Sequence, residues 1–474
     1  MRSLKVVLFY LYISAAFYWA PISSHEQPEV AQTAIQSKET WINIFVHGIM
    51  SIKPHVSFNN ILRFMSDDVE NTTYSKTVEI MRQDDIFYKN QAMNGYGLKK
   101  IDPNHVGKGL ASNGLASILN DTLAMSYGDN LDNHYYTFGW TGLLSPSRRY
   151  KDARDLYEAI EKEIARFKSK GINPKVRVIG YSHGGNVVLN LGGVRQREPV
   201  RKDLVIDETL LLGMPVQSET DYMVNDAVFK KIYHIYSNAD RVQKLDFFSY
   251  ERFFSSRIFK ERPGFKLPKK LVQIQLKLTR NTPITRTCPK KMGLTYNFNN
   301  SLVVSGKSHL LRDSSPGHAE LWFFGWTPVH YRDSFALKPL PAVSIFPFIL
   351  KTVQDIEHLL HPTDPVIIDM RPEHGITLVK NVRNYSFYKV VDFIPAQTFK
   401  KLQEKALLYA PENFTDKAFN DHIYQAFLEA DKLYKQNLSP SARKKNRKRE
   451  KRLAKNKTVK KIEKTLNAIE PTIL

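Results

Sequence analysis

Trp41 to Val46 (WINIFV) is a compact apolar run that stops abruptly at His47-Gly48, the pattern of a buried strand. Similar runs predict strands at Tyr135 to Phe138, Lys175 to Ile179 (KVRVI), Leu210 to Leu212 and Ile232 to Tyr236. Leu271 to Leu278 alternates apolar and polar positions, as a half-buried strand does. Elsewhere the apolar spacing changes to three and four residues. Phe58, Ile61, Leu62 and Met65 then share one helical face, and so do Leu156, Ile160, Ile164 and Phe167 on a helix from about Tyr150 to Lys170. Gly171 is placed to end that second helix. Further helices are predicted near His183 and over Ala342 to Leu360, whereas the Gly- and Asn-rich residues 90–130 read as an irregular insertion. Strands and helices in this alternation predict an α/β fold, a mostly parallel sheet with helices on both faces.

Residues 40–360 carry that pattern. Pro362 to Pro365 marks a boundary, followed by strands at Val366 to Asp369 and Phe387 to Val391 and helices at Ala396 to Tyr409 and Asp416 to Tyr434. Residues 363–435 are therefore expected to form a small α+β appendage. At the other end, Arg2 and Lys5 precede the uncharged stretch Val6 to Ile22, with small Ser23 and Ser24 at its exit. Residues 1–24 thus read as a signal peptide or membrane anchor, and the protein as exported or membrane-anchored.

The 474 residues are 42% hydrophobic and 12% aromatic, which supplies a sizeable core and excludes disorder through most of the chain. The net charge of +22 is unevenly placed: Arg443 to Lys464 holds thirteen basic and two acidic residues. Residues 439–474 are expected to be a disordered or helical basic tail. It contains no aromatic residue for base stacking, so an anionic membrane surface suits it better than nucleic acid. The single Cys288 excludes an intramolecular disulfide, and no HExxH pair, phosphate loop or dinucleotide fingerprint is present, so neither metal nor cofactor is expected.

The chemistry is concentrated at Gly180-Tyr181-Ser182-His183-Gly184, between the strand KVRVI and the helix that begins HGGNVVLNL. Gly-x-Ser-x-Gly at a strand-to-helix turn is a nucleophile elbow: the turn presents the serine in a strained conformation, and the helix directs its positive end toward an oxyanion.

Through GYSHGG, and through FVHG at Phe45 to Gly48, the chain resembles the α/β-hydrolases of the lipase and esterase kind over residues 40–360. The resemblance implies the triad order Ser, acid, His. Asp240, in the turn after Ile232 to Tyr236, is the implied acid, with Asp246 its nearest rival. His318 follows the flexible Pro316-Gly317 turn and is the implied base, with His309 and His330 as competitors. The oxyanion donors would be the backbone N–H groups of Ile49 and His183, with His47 structural. The aromatic run Phe247 to Phe259 places Phe247, Tyr250 and Phe254 on one helical face, an acyl-chain wall or lid if it is not simply core. The implied activity is hydrolysis of a carboxylic ester, an acyl lipid above all. A silent hydrolase fold that only binds is the alternative, and so is a polyanion- or nucleic-acid-binding protein led by the tail.

Overall fold

β-Branched and aromatic residues dominate the central strands, and their side chains alternate between two packed faces. In β1 (Glu39–Val46), Ile42, Ile44 and Val46 enter one core cluster while Phe45 enters the other. The structure is a computed structural model. It describes residues 38–50, 69, 72–198, 203–244, 255–283, 301–304, 307–326 and 334–437, with 439–441, 444 and 448 beyond them. The proposed export segment, the helix expected over residues 58–65, Phe247, Tyr250, Phe254, His330 and nearly all of the basic tail lie outside the described residues.

The chain continues through α1 (Thr73–Gln83), β2 (Gly97–Ile101), α2 (Ala111–Tyr127), β3 (Leu131–Gly139), α3 (Pro146–Lys168), β4 (Lys175–Tyr181), α4 (His183–Arg197), β5 (Glu208–Leu212) and β6 (Ile232–Tyr236). Then come β7 (Leu271–Pro283), β8 (Ser301–Val304), β9 (Lys307–Asp313), α5 (Phe346–Gln354), β10 (Val366–Arg371), β11 (Ile376–Asn381), β12 (Phe387–Asp392), α6 (Ala396–Leu407) and α7 (Asp416–Asn437). The sheet runs β12-β11-β10-β7-β6-β5-β4-β1-β3-β2, parallel from β10 to β3 and antiparallel at both ends. The hairpin of β8 and β9 extends the far end of β7. Helices α3 and α4 cover one face, and α2, α5 and α6 cover the other. The protein is therefore α/β, with a mixed, mostly parallel central sheet. No helix among the described residues is long and apolar enough to cross a membrane.

Two of the expected elements change, residues 90–130 and the closing helix. Residues 90–130 are not an irregular insertion: they supply β2 and the whole of α2. Gly114 belongs inside that helix because the ring of Tyr409 lies where a Cβ would stand, 2.7 Å from the ring's Cγ. Residues 363–437 supply β10, which pairs in parallel with β7, and the antiparallel β11 and β12 beyond it. The closing helix is also shorter than expected, a 3-10 turn at Ala342–Ile345 followed by α5, with Pro347 in the first turn where its missing N–H costs no bond.

Candidate active site

The parallel strands bring their carboxyl ends to one edge of the sheet, where the loops after β1, β4, β5 and β6 meet. Ser182 stands between β4 and α4 with φ 51° and ψ −131°, a conformation rare for a side chain larger than glycine. Packing imposes it. A Cβ at Gly180 would stand 2.8 Å from the Gly185 Cα, and one at Gly184 would overlap the His47 carbonyl. Only glycine lets β4, α4 and the loop after β1 approach so closely.

His318 Nε2 lies 2.9 Å from Ser182 Oγ, and His318 Nδ1 lies 2.7 Å from Asp240 Oδ2. A carboxylate accepts, so Nδ1 carries the proton and Nε2 is left to accept from the serine hydroxyl. Asp240 is fully buried, and its other oxygen accepts from the backbone N–H groups of Val242 (2.9 Å) and Gln243 (3.3 Å). The turn after β6 thus aims one oxygen at the histidine and satisfies the other. The sequence reading of Ser182, Asp240 and His318 falls on three residues that the structure brings together. Asp246 and His330 lie outside the described residues, and His309 is on β9, opposite Pro283 and Leu302.

His318 is held from several sides. The chain leaving β9 returns along β7, where the Ser314 N–H donates to the Leu278 carbonyl at 2.9 Å. The Tyr181 hydroxyl donates to the His318 carbonyl at 3.0 Å, and the Tyr181 ring stacks on Trp322 at 5.1 Å. Glu320, fully buried, accepts from the Gly317 N–H at 2.6 Å and so braces the Pro-Gly turn. On the other side Arg257 donates through Nε to the Asp240 carbonyl at 2.9 Å. Gly213 has φ +56°, and a Cβ there would lie 3.2 Å from Asp240 Oδ2 and 3.3 Å from His318 Nδ1.

The loop after β1 lies over the elbow, so close that a Cβ on Gly48 would be 3.1 Å from the Ser182 Cβ. His47 Nδ1 donates to the Gly48 carbonyl at 2.6 Å, which leaves Nε2 to accept from the Trp140 N–H at 3.3 Å. Burial, and then the Arg82 charge, hold its pKa well below the ordinary histidine value, so the ring is neutral. His47 therefore bonds to backbone, as expected of a structural residue. Ile49, partly buried, packs against the core cluster that α3 and α4 form on their face of the sheet. His183 opens α4, whose first-turn N–H groups have no partner within the helix. Its ring accepts from Arg149 Nη1 at 2.6 Å, and burial followed by the Arg149 charge lowers its pKa well below the ordinary value.

The aromatic segment divides. Phe259 is core: its ring meets His234 edge-on at 5.1 Å and its N–H donates to Gln273 Oε1. Sequence reasoning missed Gly213, Arg257, Tyr181, Glu320, Arg82 and Arg149. Gly213, Arg257, Tyr181 and Arg82 touch Ser182, Asp240, His318 or the loop over them through long-range packing that no local pattern encodes, Glu320 braces the Pro-Gly turn from three residues away, and Arg149 reads locally as a charge at a helix start. Comparison with protein-family models, with curated proteins and with solved structures finds no match to this chain.

Proposed function

We propose that the protein is a serine hydrolase of α/β-hydrolase type that cleaves carboxylic esters through Ser182, His318 and Asp240. One observation carries this reading: His318 bridges a strained elbow serine and a buried carboxylate, at 2.9 and 2.7 Å, in the chain order Ser, Asp, His. His318 Nε2 takes the Oγ proton as Ser182 attacks the ester carbonyl carbon. The oxygen of the tetrahedral intermediate is received by the N–H groups of Ile49 and His183, and Asp240 stabilises the imidazolium. His318 then protonates the departing alcohol, and water releases the acyl group by the same path in reverse. The acyl-lipid preference rests on the sequence alone, on the aromatic run that precedes Phe259.

The test is a panel of esters of rising chain length, run with a fluorophosphonate label. Ser182→Ala is expected to abolish labelling. Ser182→Ala and His318→Ala should each lower kcat by roughly four orders of magnitude or more with the fold intact, and Asp240→Asn by somewhat less. Unchanged turnover in Ser182→Ala, or no labelling of the wild type, overturns the reading.

A further inference from the structure

Tyr181 is the last residue of β4, immediately before the nucleophile. Alternation along the strand sends its side chain, like that of Ile179, to the face of the sheet opposite α4. There its buried ring stacks on Trp322, with centroids 5.1 Å apart and planes at 4°, and Trp322 in turn meets Phe45 edge-on at 6.2 Å. The same ring lies against the His318 imidazole, at 4.9 Å between centroids and 33° between planes. Its hydroxyl donates to the His318 carbonyl at 3.0 Å, an oxygen that also accepts from the Leu321 N–H at 3.3 Å. Burial, and then the Asp240 charge, raise the Tyr181 pKa well above the ordinary tyrosine value, so the hydroxyl keeps its proton. The loop after β1 closes on this ring as well: a Cβ on Gly48 would stand 3.0 Å from Tyr181 Cδ1.

In the hydrolytic cycle His318 is neutral while Ser182 holds its proton, and becomes an imidazolium once Nε2 takes it. An aromatic face attracts a cation within about 6 Å of its centroid and does much less for a neutral ring. A ring at 4.9 Å therefore stabilises the charged form of His318 selectively, which is what catalysis needs. Asp240 supports the same charge through Nδ1, so ring and carboxylate act from different directions. The other charged or titratable groups around His318 are His183 at the start of α4, Arg257 behind Asp240, and Glu320 on the turn of His318 itself. Packed on Trp322 and covered by the Gly48 loop, the Tyr181 ring has little room to turn away.

We propose that Tyr181 is a positioning residue for ester hydrolysis: its ring seats His318 and favours the imidazolium over the neutral imidazole, while its hydroxyl steadies the backbone that carries the base. The inference rests on the hydrolase reading above. It separates from simple packing by sign. Activity needs His318 neutral at the start, so the acid limb of the pH profile reports the pKa of the base. Removing a ring that favours the cation moves this limb to lower pH. Slackened packing that admits water favours the cation instead, and moves the limb to higher pH.

The experiment compares Tyr181→Phe and Tyr181→Leu with wild type in the full chain. It measures kcat and KM on one soluble ester across pH, the rate of fluorophosphonate labelling, and Tm. Tyr181→Phe keeps the ring, and the His318 carbonyl keeps its bond from Leu321, so kcat is expected within about 3-fold of wild type with the acid limb in place. Tyr181→Leu is expected to lose roughly 10-fold in kcat and in labelling rate, with KM within about 2-fold and the acid limb of kcat/KM about 0.5–1 pH unit lower. Where Leu does not fold, the unbranched Met replaces it in the same comparison. An acid limb that stays in place or rises in the Leu or Met variant overturns the proposal, as does a Phe variant as impaired as Leu. A wild type that neither hydrolyses esters nor takes the label removes the hydrolase reading and this proposal together. An active, labelled wild type beside a Leu variant of unchanged kcat and pH profile removes the proposal alone.

Discussion

At the scale of single residues, the Ser182, Asp240 and His318 cluster was legible because each member stands beside its own local sign. Ser182 lies inside a Gly-x-Ser-x-Gly turn, Asp240 follows an apolar strand and His318 follows Pro-Gly. Gly213 had no such sign, since Leu-Leu-Gly-Met reads as an ordinary strand end. Its role appears only when β5, the turn after β6 and the His318 loop are brought together. A Cβ at position 213 would stand 2.8 Å from Leu321 Cδ1, within 3.3 Å of both polar atoms of the Asp240–His318 bond, and on a backbone with φ +56°. Gly213→Ala is therefore expected to push that pair apart and to lower kcat by about 10- to 100-fold, because displacements near 1 Å at a reacting group have effects of that order. Steady-state kinetics beside a thermal melt checks this. Full activity in a folded Gly213→Ala protein would mean that the acid–histidine contact tolerates the intrusion.

At the scale of elements, the buried parallel strands and the amphipathic α3 were readable, since their apolar spacing reflects their own burial. The edges were not. β9 and β11 are short and mixed in polarity, and each depends on an antiparallel partner for its hydrogen bonds. Helix α2 was hidden by composition, because glycine and asparagine weaken a helix in isolation and only its packing restores it. Gly114 shows the conflict. By propensity alone, Gly114→Ala should stabilise the helix by up to about 1 kcal/mol. The structure predicts the opposite sign. The added methyl would meet Cγ, Cδ2 and Cβ of Tyr409 at 2.7–3.1 Å, on a fully buried ring that has no room to retreat. A net destabilisation of about 1–3 kcal/mol is expected from overpacking, measured by urea unfolding. A rise in stability would show that α6 and Tyr409 shift freely.

At the scale of the whole molecule, the strand order converts positions far apart in sequence into one edge, and the same compaction strips water from groups that titrate. His47, His183 and His234 are all buried, and burial is the largest cause lowering each pKa, that of His234 from 6.5 to about 4. An unfolded chain protonates such a histidine at about pH 6.5, and the folded protein resists until far lower. Below pH 6.5 the unfolded state binds more protons, so the stability these groups contribute is present above pH 6.5 and is lost as the pH falls, for His234 down to about 4. Asp152 works in the reverse direction. Burial raises its pKa from 3.8 to about 6, so its ionisation destabilises the fold as the pH rises from 4 to 6, and acidification relieves it. The histidines outnumber it, and the net expectation is acid lability. For His234 alone the loss between pH 7 and pH 4.5 is about 2–3 kcal/mol, at one pKa unit to about 1.4 kcal/mol. Urea unfolding at those two pH values should therefore show a smaller difference in His234→Gln than in wild type, by roughly that amount. In Asp152→Asn, where the opposing carboxylate is gone, the difference should be larger. Parallel losses in wild type and His234→Gln would mean that His234 is already protonated, or solvated, in the folded protein at pH 4.5.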